Sequence, residues 1–171
     1  MKTTFEYIVM FITSVLVQVL LFDNIEFSWW IRPVVFPLFV LLLPMEMSNL
    51  KVMLCSMFLG LTIDILAGVP GVYTATMLVV GIVRRLLLLL FAGRLSIQDG
   101  GVPLSSRIGL PNFMKYVTSA MLCFFLIFFT LDRLSFDDYW VIILQSFAST
   151  LLSVPLIYVF QLLFVTRKNV L

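Results

Sequence analysis

An all-α fold of six transmembrane helices is predicted by three observations on this 171-residue chain. Hydrophobic residues make up 62% of it and charged residues only 12%, against about 25% charged in a typical soluble domain. The apolar residues gather into six runs, and mean hydropathy is +1.15. Threading those runs back and forth puts nearly all of the basic residues on one side. A soluble domain of this size could not hide so much apolar surface, and a disordered chain would be far more polar. Residues 1–171 therefore read as a single integral-membrane helical domain.

The first run extends from Tyr7 to Phe22. It has no small-residue cleavage signal and follows Glu6, so a retained helix is expected and not a signal peptide. The second extends from Trp29 to Leu43; Trp29 and Trp30 suit an interfacial belt. Pro33 and Pro37 predict that this span is short, kinked or re-entrant. The third covers Lys51 to Ala67, the fourth Tyr73 to Phe91 and the fifth Phe113 to Leu131. The sixth, Tyr139 to Val165, is long enough to tilt, and Pro155 predicts a kink in it.

Six spans put both termini on one side. That side collects Lys2, Lys51, Arg84, Arg85, Arg94, Arg107, Lys115, Arg167 and Lys168, and only Arg32 and Arg133 fall opposite. The positive-inside rule then predicts a multi-pass membrane protein with both termini cytoplasmic. Asp23, Glu26, Asp132, Asp137 and Asp138 give the opposite face an acidic character. Residues 92–112, AGRLSIQDGGVPLSSRIGLPN, are the one extended polar segment. Their glycines and prolines predict a cytoplasmic loop, or a broken interfacial segment, between the fourth and fifth spans.

Whole chemistries are excluded by counts. The chain has no histidine, and Cys55 and Cys123 lie far apart in apolar runs. The usual zinc, haem and thiol–imidazole sites need such residues clustered. No catalytic residue, cofactor or metal site is expected. The net charge of +2 gives no basic footprint for nucleic acid.

Asp64 is the sharpest single feature. A carboxylate within a membrane span is costly and faces a protein interior or cavity. Ser56, Gly60, Asp64 and Gly68 recur every four residues and share a helix face, where small side chains admit a neighbouring backbone. Asp64 reads either as a proton or ion site, or as a structural carboxylate that ties two helices or caps the fourth. A helix rises about 1.5 Å per residue. Asp64 then lies about 9 Å from a turn centred near residue 70, and Arg84 about 21 Å from it, too unequal for a direct pair. Tyr73, Thr74 and Thr76 match Asp64 in height, so hydroxyls or N–H groups at the start of the fourth span are its expected partners. Arg84 and Arg85 are expected to snorkel to headgroups, with one of them facing the bundle. Lipid phosphate or a cytoplasmic partner are their alternative contacts, and Arg107 in the loop is a third candidate. Ser146, Ser149, Thr150 and Ser153 predict a close-packing stripe on the sixth span. Phe124, Phe125, Phe128 and Phe129 read as lipid-facing or core bulk.

The stretch GLTIDILAGVPGVYTATMLVVGIVRRLLL resembles the signature region of the rod shape-determining protein MreD family. That pattern is a Gly–Leu–x–x–Asp helix, a small Pro–Gly turn, and a second helix ending near Arg–Pro. Gly60, Leu61, Asp64, Gly68, Pro70 and Gly71 fit it; Arg84–Arg85 stand where Arg–Pro is commoner. The segment GGVPLSSRIGLPNFMKY is similar to the form in Bacteroidetes-type members. The resemblance implies a protein of the bacterial inner (cytoplasmic) membrane, with six helices folded like the substrate-binding subunit of energy-coupling-factor (ECF) transporters. It implies a non-enzymatic scaffold of the cell-elongation machinery that binds MreC and helps couple MreB to peptidoglycan synthesis by RodA and its transpeptidase. A substrate-binding ECF subunit is the alternative, although the first span lacks the Ala-x-x-x-Ala coupling pair. A lipid enzyme would need clustered Asp, His or Lys, which Asp64 and Asp99 do not supply.

Overall fold

The computed structural model describes residues 2–19, 32–133 and 139–170, with the side chains of 2–6 and 163–170 left out. Among them the chain is all-helical. Four helices are long and apolar enough to cross a membrane: α3 (Asn49–Ala67), α4 (Val72–Phe91), α7 (Leu110–Arg133) and the start of α8 (Tyr139–Val170). Helix α1 (Lys2–Val17) adds a shorter apolar stretch, Tyr7–Val17, and widens into a π turn at residues 18–19. Trp29, Trp30, Asp23, Glu26, Asp137 and Asp138 lie outside the described residues.

The second expected span is corrected. Its described part is not a membrane-length helix. Residues 32–35 have no regular structure, and α2 (Pro37–Leu41) is a single turn and a half. Pro33 and Pro37 explain this, because neither can donate a backbone N–H and each restricts the residue before it. Pro37 is the first residue of α2, where a missing N–H does no harm. The segment is also the deepest part of the molecule. Phe36, Val40 and Leu41 are wholly buried, and Val34, Val35, Leu38, Leu42 and Leu43 nearly so. Helices α1, α4, α7 and α8 enclose it.

The long helices pack in chain order, α3 on α4, α4 on α7 and α7 on α8. Their inner faces are aromatic: Phe113, Tyr116, Phe124 and Phe125 are wholly buried, with Phe128 and Phe129 beside them. The phenylalanine run of α7 is thus core, and Phe36 meets both Tyr73 and Phe124 edge-on at 5.7 Å between ring centres. The outer faces carry Phe58, Ile65, Leu90, Trp140 and Leu151, as a lipid-facing surface requires. Helix α8 continues through Pro155 without ending. The polar segment 92–112 folds as two short helices, α5 (Gly93–Gln98) and α6 (Ser105–Ile108), with α7 beginning at Leu110.

The closest helix contact is α3 on α4. A Cβ added at Gly60 would stand 2.5 Å from the Thr74 Cα, and Gly81 of α4 receives the Ser56 hydroxyl in the same way. Gly60→Ala is expected to cost about 1–3 kcal/mol, because backbone and not a movable side chain is in the way. Unfolding in detergent would measure it, with Leu61→Ala on the exposed face as the comparison. Equal losses for the two variants would remove the close-approach account of Gly60.

Candidate functional site

Two polar centres hold this apolar bundle, one at the α3–α4 turn and one around the segment 32–45. At the first, α4 begins on Gly71, whose missing side chain cannot cap the helix. Asp64 supplies that cap from the neighbouring helix. Its Oδ1 accepts the Tyr73 N–H at 3.0 Å, and its Oδ2 accepts the Thr74 N–H at 2.8 Å and the Thr74 hydroxyl. These are the second and third N–H groups of α4, the ones an N-cap side chain normally satisfies. Negative charge is also favoured at this helix end.

The Asp64 backbone serves the opposite end of the turn. Its carbonyl accepts the N–H groups of Gly68 and Val69, which closes the C-terminus of α3. Gly68 takes the left-handed conformation that lets the helix stop there. One residue therefore caps both helices of the hairpin, with Gly60 one turn below it at the closest approach. Gly60, Asp64, Gly68, Pro70 and Gly71 are brought together. Asp64 is 5% exposed and takes its three donors from α4. Tyr73 contributes its N–H and not its hydroxyl, and Thr76 donates to the Val72 carbonyl instead.

At the second centre, the irregular segment exposes backbone groups that a helix would have paired internally. Four helices pair them. Gln18 of α1 accepts the Val35 N–H at 3.0 Å and donates to the Pro33 carbonyl at 3.4 Å. Ser153 and Ser149 of α8 accept the N–H groups of Val34 at 3.1 Å and Arg32 at 3.4 Å. The Tyr116 hydroxyl of α7 donates to the Leu41 carbonyl at 3.1 Å. Arg84 of α4 donates to the carbonyls of Leu43 and, at 3.4 Å, Pro44. These two carbonyls lie just beyond the end of α2, in the turn that leads toward α3. Met45 completes the set with an N–H bond of 2.8 Å to the Gly101 carbonyl.

Arg84 is the one of the adjacent pair that faces the bundle, as expected of one of them, and its reading as a lipid or partner contact is corrected. Its head does not snorkel and is open neither to lipid nor to a partner, since the residue is 2% exposed. Arg85, the next residue around the helix, is exposed and donates to the Asn49 side chain at 3.1 Å. No helix break follows the pair; α4 runs on to Phe91. Arg107 lies elsewhere, exposed on α6 with a 3.3 Å bond to the Asp99 carbonyl. The serine stripe of α8 does more than pack closely, since two of its hydroxyls hold the buried segment. Gln18 and Tyr116 were not apparent as site residues from the sequence. The signal for Gln18 is an isolated amide in an apolar helix, which needs an internal partner. Gln161 repeats that signal on α8 and donates to Ser105 of α6 at 2.9 Å.

Chemically, both centres bind backbone. Among the described residues no three His, Cys, Asp or Glu side chains come together to hold a metal, and Cys55 and Cys123 are free thiols. Comparison with known protein families, curated proteins and solved structures finds no match to this chain.

Two outcomes follow for the two centres. Asp64→Ala should cost about 2–4 kcal/mol in unfolding measurements, because it orphans two buried N–H groups that now bond a carboxylate. Asp64→Asn keeps one acceptor oxygen and should lose less. At the second centre, Arg84→Leu should cost about 1–3 kcal/mol by leaving the Leu43 carbonyl unpaired, whereas Arg85→Leu should stay within about 0.5 kcal/mol. Equal effects at 84 and 85 would mean that the clamp carries no stability.

Proposed function

We propose that the chain is a non-enzymatic scaffold subunit of a bacterial cell-elongation complex, of the MreD kind, placed in the inner membrane. The observation that carries this reading is the stretch from Gly60 to Arg84. Its resemblance to the MreD signature singles out Gly60, Asp64, Gly68, Pro70 and Gly71. These residues lie at the α3–α4 turn and its closest helix contact, where Asp64 caps both helices, Gly68 and Gly71 take left-handed conformations and Gly60 admits α4. On this reading the motif is a folding element, and partner binding belongs to the outer helix faces.

Six crossings are part of the proposal. Helix α1 and the segment 32–45 act as the first two, with the segment crossing inside the bundle and not against lipid. The arrangement of the ends supports this. Tyr7 of α1 lines the same cavity as Pro44, Gly101 and Arg107, and Gln161 of α8 bonds Ser105. That end also carries Lys51, Arg85, Arg94 and Lys115, so it faces the cytoplasm under the positive-inside rule. An MreC-like protein is the direct partner, with MreB, RodA and its transpeptidase reached through the complex.

Co-purification tests the reading. The chain, expressed with the products of its neighbouring reading frames, is expected to retain a single-span protein with a coiled-coil domain through detergent extraction. Retention of an ATPase pair, together with stabilisation by a vitamin, would replace the scaffold by an ECF-type transporter subunit.

A further inference from the structure

Where the segment 43–47 leaves the bundle, it separates two cavities. One is a groove of about 400 Å³ between α1 and α3, walled by Phe11, Phe39, Leu43, Met47, Cys55 and Phe58. It is almost wholly apolar and opens toward the lipid-facing side. The other, about 480 Å³, lies at the polar end of the molecule and is lined by Pro44, Glu46, Gly101, Ser106 and Arg107 among others. Tyr7 lines both. The segment contributes to both linings, Leu43 and Met47 to the groove, Pro44 and Glu46 to the polar pocket. The two spaces adjoin at Tyr7, the one described residue common to both linings, with the apolar groove on one side and the charged pocket on the other; an amphipathic ring is favoured at such a boundary.

The charged end is built for two signs at once. The Glu46 carboxylate lies against Gly100, and the Arg107 guanidinium lies against Gly101. Both glycines have positive φ, 67° and 86°, and a Cβ on either would collide with the charged group beside it. Glu46 has no hydrogen bond or ion pair among the described residues, and Arg107 has only its bond to the Asp99 carbonyl. A carboxylate and a guanidinium so placed, lining one pocket without pairing, complement a headgroup that carries a phosphate and an ammonium together. The Gly101 carbonyl is already fixed by the Met45 N–H, so the floor of the pocket is tied to the buried segment. Each cavity falls within the range of about 300–1,000 Å³ usual for small-molecule sites.

We propose that this paired space binds one phospholipid with a zwitterionic ammonium–phosphate headgroup. Its phosphate faces Arg107, its ammonium faces Glu46, and one acyl chain lies in the groove between α1 and α3. A purely anionic headgroup would meet repulsion from Glu46. A transmembrane helix of a partner could fill the groove but would leave both charges unanswered. The site does not depend on the scaffold reading, because it is tested on the isolated protein.

Native mass spectrometry of the purified full chain, offered phosphatidylethanolamine and phosphatidylglycerol of matched acyl chains, tests this. The wild type is expected to retain phosphatidylethanolamine about 2–5-fold better, the scale of a solvent-exposed charge pair. Glu46→Gln should abolish that preference while leaving phosphatidylglycerol bound. Arg107→Gln should weaken both lipids, and Cys55→Trp, which fills the groove, should weaken both without changing their ratio. Thermal unfolding of each variant separates these effects from loss of fold. Equal retention of the two lipids by the wild type would overturn the proposal, as would a preference that survives Glu46→Gln. It would equally fail if Cys55→Trp released a second copy of this chain, or another protein, and not a lipid.

Discussion

A non-helical backbone inside an apolar bundle sets the terms for everything around it. Residues 32–36 and the short α2 carry N–H and C=O groups that neither lipid nor water can satisfy at that depth, and each unpaired group would cost several kcal/mol. The surrounding polar side chains are best understood from that need. Gln18, Arg84, Tyr116, Ser149 and Ser153 come from four different helices and meet on one stretch of chain. Their bonds are spread along the segment, so it is fixed in register as well as held in place. Lipid need not see any of them.

The α3–α4 hairpin solves a related problem more economically. A helix end leaves several backbone groups unpaired, and the turn at Gly68–Gly71 has two such ends side by side. Placing a carboxylate one turn before the end of α3 lets its carbonyl close one helix and its side chain the other. That geometry works only if the two helices nearly touch, which is what Gly60 permits. The carboxylate and the small residue are parts of one device, and a four-residue spacing puts them on one face.

Much of this could be read directly. The runs that became α3, α4, α7 and α8 are long, apolar and bounded by turn residues, and lipid-spanning helices have few other sequence forms. The partners of Asp64 at the start of α4 followed from its height relative to the turn. The second span was legible only as a short, kinked or re-entrant segment, and its course inside the bundle was not. A mostly apolar run of fifteen residues looks the same whether it faces lipid as a helix or lies inside protein as an irregular segment, and hydropathy does not distinguish the two. Pro33 and Pro37 carried the difference. Arg84 and Arg85 are neighbours in sequence, but about 100° of helical rotation sends one into the core and the other to the surface. Choosing between them needed the position of Leu43 and Pro44, which come from an element that had not been placed. The second task of the serine stripe was hidden for the same reason, because its partners belong to that segment.

The bonds from Ser149 and Ser153 bear on how the chain assembles. The segment they hold is made early in synthesis, and its N–H groups at 32 and 34 wait for acceptors that emerge more than a hundred residues later. Gln18 is available at once, Arg84 and Tyr116 next, and the α8 hydroxyls last. Until α8 is present, the N–H groups at 32 and 34 lack the acceptors that they have in the folded bundle. The cost of those two unpaired groups falls on every intermediate that lacks α8, so the last described helix adds more to the buried segment than its own packing.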